Sequence, residues 1–160
     1  METIKITLKD GSIKEFEKGL KLSEIASNIS RSLGKSALVA KINDNLTDLT
    51  TQIEEDCNVE FLTFEDEEGK DAFRHTSSHI LAQAVKRLYH NVKLGIGPAI
   101  ANGYYYDFDC NYTFTSEDLV KIEAEMNRIV KEDLPIQRIV IPRKEAIAMF
   151  GEMGENYKQE

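Results

Sequence analysis

The chain has 160 residues, a formal charge of −8, 41% hydrophobic and 30% charged residues, the balance of one globular domain or two small ones and not of a disordered tail. No apolar run approaches the roughly 18 residues that cross a bilayer, and the opening METIKITLKDG alternates polar and apolar residues, unlike a signal or transit peptide. An acidic chain is a poor general binder of phosphate backbones, although a local nucleic-acid contact stays open.

The charge is uneven, with −3 over residues 1–64, −4 over 65–73 and −1 over 74–160. TIKITL (3–8) alternates with period two and predicts a strand with Ile4, Ile6 and Leu8 on one face. Asp10-Gly11 predicts a hairpin turn and SIKEFE (12–17) its return strand. Ser23 is placed to cap a helix with Ile25, Ala26, Ile29 and Leu33 in its buried stripe, and Gly34 to end it. ALVAKIN (37–43), a turn at Asp44-Asn45 and NVEFLTF (58–64) supply further strands. Strands crowded around one helix predict an α+β fold, a ubiquitin-like β-grasp, for residues 1–64. EDEEGKD (65–71), with five acids, one lysine and one glycine, reads as an acidic linker.

The second part, 72–160, opens on the helix RHTSSHILAQAVKRLYH. Gly95, Gly97 and Pro98 predict a loop, and Asn102-Gly103 a hairpin turn into an aromatic strand from Tyr104 to Asp109. Ser116, with Glu117 and Asp118 behind it, starts a helix striped by Leu119, Ile122, Met126, Ile129 and Val130 and stopped by Leu134-Pro135. IQRIVI (136–141) predicts a strand and PRKEAIAMF (142–150) a last helix. Its stripe (Ile147, Phe150, Met153) asks for cover from beyond residue 160, so the last ten or so residues are expected to be mobile. Cys57 and Cys110 form no Cys-x-x-Cys pair and read as two free thiols of a cytosolic protein.

At about 100° per residue, His75 and His79 fall near 0° and 40°, Lys86 near 20° and Ala82 near 340°. Phe73, Ile80, Leu81, Ala84 and Leu88 fall between about 140° and 240°, so the histidines point away from the apolar stripe. Small Ala82 beside them makes that face concave. An i,i+4 pair can set two imidazoles on one ion or one substrate, but HTSSH lacks the glutamate of the metalloprotease His-Glu-x-x-His. Two ligands do not close a metal site, and His90 lies about 16 Å along the axis. Asp107, Asp109 and Cys110 are the other donors in range of the sequence. Spacing alone leaves metal ligand, acid–base group and solvated surface open.

The run RHTSSHILAQAVKRLYHNVKLGIGPAIANGYYYDFD closely resembles the start of the editing domain of bacterial threonyl-tRNA synthetases. Residues 1–64, with ITLKDGS and VEFLTF, resemble the TGS β-grasp domain of those enzymes, and GENYK (154–158) resembles a later editing-domain segment. The resemblance implies an α+β fold whose second domain, 72–160, is the truncated N-terminal part of the editing domain. It implies a ligase that joins threonine to its tRNA with ATP and hydrolyses mischarged seryl-tRNA. The implied catalytic residues are His75, His79 and Lys158, with Tyr106 binding substrate and no metal among them. The family completes this site with a downstream Cys-x-x-x-His segment that this sequence lacks. ATP, magnesium and zinc belong to the family's catalytic domain, so the fragment itself is expected to hold no cofactor and to be inactive. The implied partners are the acceptor end of threonine tRNA and, for the parent enzyme, a second copy in a homodimer. The implied location is cytoplasmic, with no membrane contact, and the TGS part is an accessory or RNA-interaction module. Two alternatives remain: a free-standing, non-catalytic RNA-binding or regulatory module, and a metal-dependent hydrolase.

Overall fold

A computed structural model describes residues 2–159, and the chain divides into two compact units, Met1–Phe73 and Arg74–Glu160. In the first, the alternation of TIKITL produces β1 (Thr3–Leu8), which pairs antiparallel with β2 (Ile13–Glu17) across the Asp10-Gly11 turn. The chain continues through α1 (Leu22–Ile29), α2 (Arg31–Ser36), β3 (Val39–Ile42), β4 (Asn45–Thr47) and β5 (Cys57–Leu62). The sheet order is β2-β1-β5-β3-β4, with β1 and β5 parallel and the other neighbours antiparallel. Ile4 and Ile6 on the inward face of β1 meet Leu22 and Ile25 of α1 in a core with Ala40, Ile53, Cys57 and Val59. This is the expected β-grasp within an α+β fold.

Local details differ from the expectation. The helix predicted to run from Ser23 to Leu33 is two helices, because Ser30 is extended (φ −162°, ψ 150°) and serves both ends. Its N–H donates to Ala26 O at 3.1 Å and its hydroxyl accepts Leu33 N–H at 3.0 Å. Ser23 does not cap; α1 begins after Lys21, whose N–H donates to the Glu24 carboxylate at 2.9 Å. Gly34 lies inside α2, where an added Cβ would stand 2.5 Å from Ser27 Oγ, so it permits a close approach instead of ending a helix. The turn after β3 falls at Asn43 and Asp44, both left-handed (φ 47° and 67°), one residue earlier than predicted.

The acidic stretch expected as a linker is, from Glu67 on, the start of α3 (Glu67–Leu88). Its acids are not free chain: Asp66 accepts Thr63 N–H at 2.8 Å, and Glu68 pairs with Lys41 at 2.6 Å. Glu67 and Glu68 sit in the first turn, where exposed helical N–H groups favour anions. Gly69 is buried so tightly that a Cβ there would lie 1.9 Å from Thr63 O.

The second unit holds α3 from Arg74 on, β6 (Lys93–Leu94), β7 (Ala99–Ile100), β8 (Gly103–Tyr104), β9 (Phe108–Asp109), α4 (Ser116–Glu132), α5 (Arg143–Glu152) and a 3-10 turn at Asn156–Lys158. β6 pairs with β9 and β7 with β8, both antiparallel. Its core is Ala84, Val85, Val92, Ile122 and Ile129, with Tyr89, Phe108 and Phe114 against it. Tyr89 donates to Asp118 at 2.8 Å. The N–H and hydroxyl of Thr115, the cap of α4, join Tyr89 in holding the Asp118 carboxyl down at about 2.

Several predicted features are corrected here. The aromatic stretch Tyr104–Asp109 is not one strand. It leaves one two-stranded ladder and enters the other, with Gly95 N–H donating to Asp107 O at 2.9 Å and Asp107 N–H to Ile96 O at 2.8 Å between them. Residues 136–141 join no ladder among the described residues, and Ile136, Ile139 and Val140 are at least 75% exposed. On α4, Leu119 and Val130 face outward, while Glu125 takes a buried place paired with Arg87 at 3.2 Å and Arg128 at 2.9 Å. On α3, Phe73 and Leu88 are exposed, and the buried arc is Ser78, Ala82, Ala84 and Val85. Among the described residues no helix is long and apolar enough to cross a membrane.

Candidate functional site

The four residues singled out from the sequence come from three parts of the second unit: His75 and His79 from α3, Tyr106 from the segment before β9, and Lys158 from the 3-10 turn. One helical turn apart on an exposed face, the two imidazoles meet edge to face with Nε2 atoms 2.9 Å apart. That contact needs a lone pair on one ring and an N–H on the other, so the pair carries at most one positive charge while it lasts. Burial holds His79 below its ordinary value of 6.5, and the charges of His75 and Lys158 add to the effect. A neutral imidazole at pH 7 is thereby favoured.

Between the histidines in sequence, Ser78 is fully buried. Its hydroxyl lies 2.7 Å from His75 O and 2.9 Å from Gly97 O, sharing one proton between two carbonyls, and so holds the 95–97 loop to α3. Gly97 has no room for a side chain, since a Cβ would stand 2.1 Å from Cδ2 of Tyr106. The Tyr106 ring, stacked on Phe108 with centroids 5.1 Å apart, therefore rests on bare backbone. Lys158 donates from Nζ to Gly95 O at 2.9 Å and stands 3.4 Å from the Tyr106 hydroxyl. Its ammonium is thereby hydrogen-bonded to the 95–97 loop.

Three residues before that lysine stands Glu155, a buried carboxylate. It accepts Lys86 Nζ at 2.5 Å and Leu94 N–H at 3.0 Å. Burial pushes its carboxyl up, but these two hydrogen bonds and the charges of Lys86 and Lys158 outweigh burial and hold it below the ordinary 4.5. Sequence reasoning gave Gly97 only as a loop residue and did not single out Ser78 or Glu155. The signal for Glu155 was present: Lys86 shares the helix face of the histidines, and GENYK places an acid one short turn before Lys158.

Beside the pair opens a cleft of about 690 Å³. Its walls are Thr76, Ile80 and Gln83 of α3, Ile129 and Val130 of α4, and Asp133 to Ile136. Two nitrogen donors alone make no metal cage, and among the described residues no group of three or more His, Cys, Asp or Glu gathers at any place. Asp109 instead accepts the Tyr157 hydroxyl at 3.0 Å, and Cys110 Sγ lies 3.3 Å from Tyr112 O. The arrangement can orient a water or hydroxyl at a neutral imidazole, with one ammonium nearby to meet negative charge.

Residues 4–63 match the TGS domain family. Over 157 residues the chain is 60% identical to the threonine–tRNA ligase of Clostridium novyi (strain NT), a match covering 98% of this chain and 25% of that protein. It is 57% identical over 154 residues to the threonine–tRNA ligase of Natranaerobius thermophilus, covering 96% of this chain and 24% of that protein. The enzyme of the same name from Clostridium tetani (strain Massachusetts / E88) is 59% identical over 157 residues. The chain therefore spans about a quarter of the length of the curated relatives it matches.

Proposed function

We propose that this chain, which carries a TGS domain and belongs with the N-terminal region of bacterial threonine–tRNA ligases, supplies one side of a site that hydrolyses seryl-tRNA. The chemical need is clear. One methyl group separates threonine from serine, and a pocket draws only about 1–3 kcal/mol of discrimination from a methylene-sized difference. A second, hydrolytic site removes the error.

The observation that carries this reading is the close His75–His79 pair, with Lys158 held at Gly95 O on the 95–97 loop that Ser78 ties to the same helix. Ester hydrolysis requires an oriented water, a base and charge stabilisation at the developing oxyanion. A histidine kept neutral by burial suits the base, and Lys158 supplies fixed positive charge for the oxyanion or the terminal ribose. Tyr106, against Lys158 and the 95–97 loop, lines the substrate side. In this reading the partner is the acceptor end of threonine tRNA, and the protein works in the cytoplasm as a homodimer. ATP-dependent charging, with its magnesium and zinc, belongs to the part of the relatives outside the match. The 160 residues alone neither charge nor edit.

The test is made in a full-length ligase carrying this region. His75→Ala and His79→Ala each lower seryl-tRNA deacylation by about 10²–10⁴-fold, the usual weight of a general acid–base group, while threonine charging is unchanged. Deacylation that survives both substitutions removes the pair from the mechanism.

A further inference from the structure

We propose that Glu155 is the positioning residue of this site: its buried carboxylate, held between Lys86 of α3 and the N–H of Leu94 in β6, sets Lys158 at the Gly95 carbonyl and the Tyr106 hydroxyl. The inference rests on the reading that His75, His79 and Lys158 form one site, and adds what builds it. The lysine cannot place itself. A free lysine side chain loses rotamer entropy when fixed, and its two partners are a carbonyl at 2.9 Å and a phenol at 3.4 Å.

Glu155 fixes the turn from every side. Its N–H donates to Phe150 O at 2.9 Å, which ties it to α5, and its own C=O accepts Lys158 N–H at 3.0 Å, which sets the pitch of the turn. Its two carboxylate oxygens then divide between a cation on α3 and an amide on β6. Lys86 stands seven residues after His79, two helical turns, so both project from one face of α3. Glu155 docks on that face through Lys86, and Lys158, one short turn on, reaches the 95–97 loop at Gly95 O. Lys86 also donates to Val92 O at 3.0 Å, which seats its own end. A buried carboxylate with two charge-assisted or backbone donors is a stiff fixture, because losing either donor leaves it uncompensated.

The test uses the 160-residue chain itself, whose three histidines give separable imidazole signals in an NMR titration, assigned with His75→Gln and His79→Gln. Lys158→Met removes the ammonium and raises the His79 midpoint. Glu155→Gln raises it equally if Glu155 places Lys158, and the double variant raises it no further than Lys158→Met. The sign is diagnostic: deleting a nearby negative charge by itself lowers a histidine's midpoint. A Glu155→Gln midpoint unchanged or lowered, while Lys158→Met raises it, overturns the proposal and leaves the site standing. No response to Lys158→Met takes Lys158 out of the site, and the proposal falls with that reading. Should Glu155→Gln fail to fold, Glu155→Asp keeps the charge but is too short to span Lys86 and Leu94. A rise there supports the clamp and an unmoved midpoint overturns it.

Discussion

The first unit encloses most of its large hydrophobic side chains, and the second leaves far more of them exposed. In the first, a five-stranded sheet closes over α1, and Ile6, Leu22 and Ile25 are wholly shielded. In the second, every strand has two residues and the core is five side chains, two of them alanine or valine from one turn of α3. Polar ties do much of the holding there: Ser78 to two carbonyls, Tyr89 to Asp118, Glu125 to two arginines and Glu155 to Lys86. Hydrophobic burial is tolerant of small displacements, whereas hydrogen bonds fix distance and direction. The unit held by directional bonds is the one that carries the histidine pair, where placement to a fraction of an ångström decides the chemistry.

Core truncation gives the sharpest contrast. Ile6→Ala removes a wholly buried side chain from an interior closed on all sides, and a loss of about 2–5 kcal/mol is expected. Ile122→Ala, in the thinner core, falls below it because its neighbours can collapse into the space. Denaturant midpoints read separately on amides of β1 and of α4 measure both. Equal losses would mean that the second core is as consolidated as the first.

The two tight glycines come next, at about 1–3 kcal/mol for overpacking. Gly69→Ala drives a methyl group into a backbone carbonyl of Thr63, which has nowhere to go. Gly97→Ala meets the ring of Tyr106, a side chain that can turn away. The first substitution is therefore expected to cost more stability. The second is expected to cost less but to shift the ring resonances of Tyr106 and loosen its contact with Lys158. A Tyr106 spectrum unchanged in Gly97→Ala would show that the ring does not lean on that backbone.

What was legible follows from how local each signal was. The β-grasp was readable because alternation in TIKITL and NVEFLTF, with Asp10-Gly11 between the first two strands, states both faces and turns within a few residues. The split at Ser30 was hidden because serine caps either side of a break and leaves the four-residue spacing of Ile25, Ile29 and Leu33 intact. EDEEGKD was read as linker from its charge, yet acids belong in the first turn of a helix, and Asp66 and Glu68 find partners that no composition reveals. IQRIVI has the β-branched pattern of a strand, but a strand exists only where another strand offers it hydrogen bonds. On α3 the wheel set the histidines outward and put Ala82 beside them; it did not show that the 95–97 loop would bury Ser78. His75 and His79 stood out by their spacing and took their role from resemblance, Tyr106 and Lys158 came from resemblance alone, and their mutual distances from nothing in the sequence.

Acid separates the units last and most gently. Glu155 sits below its ordinary 4.5, so the stability it contributes is complete above about 4.5 and is lost as pH falls through its folded value. Amides of residues 155–159 should lose exchange protection in that range, ahead of those in β1 and β5. His79 acts earlier. Its folded value lies below 6.5, so the unfolded chain binds the extra proton first, and stability falls as pH drops from about 6.5 through the folded value. The group is partly exposed, so the fall is small, but the first unit contains no histidine at all. Between pH 7 and 5 the second unit should therefore soften while the first stays level. A second unit equally level over that range would mean that His79 is solvated in both states, and the case for a histidine held neutral at this site would go with it.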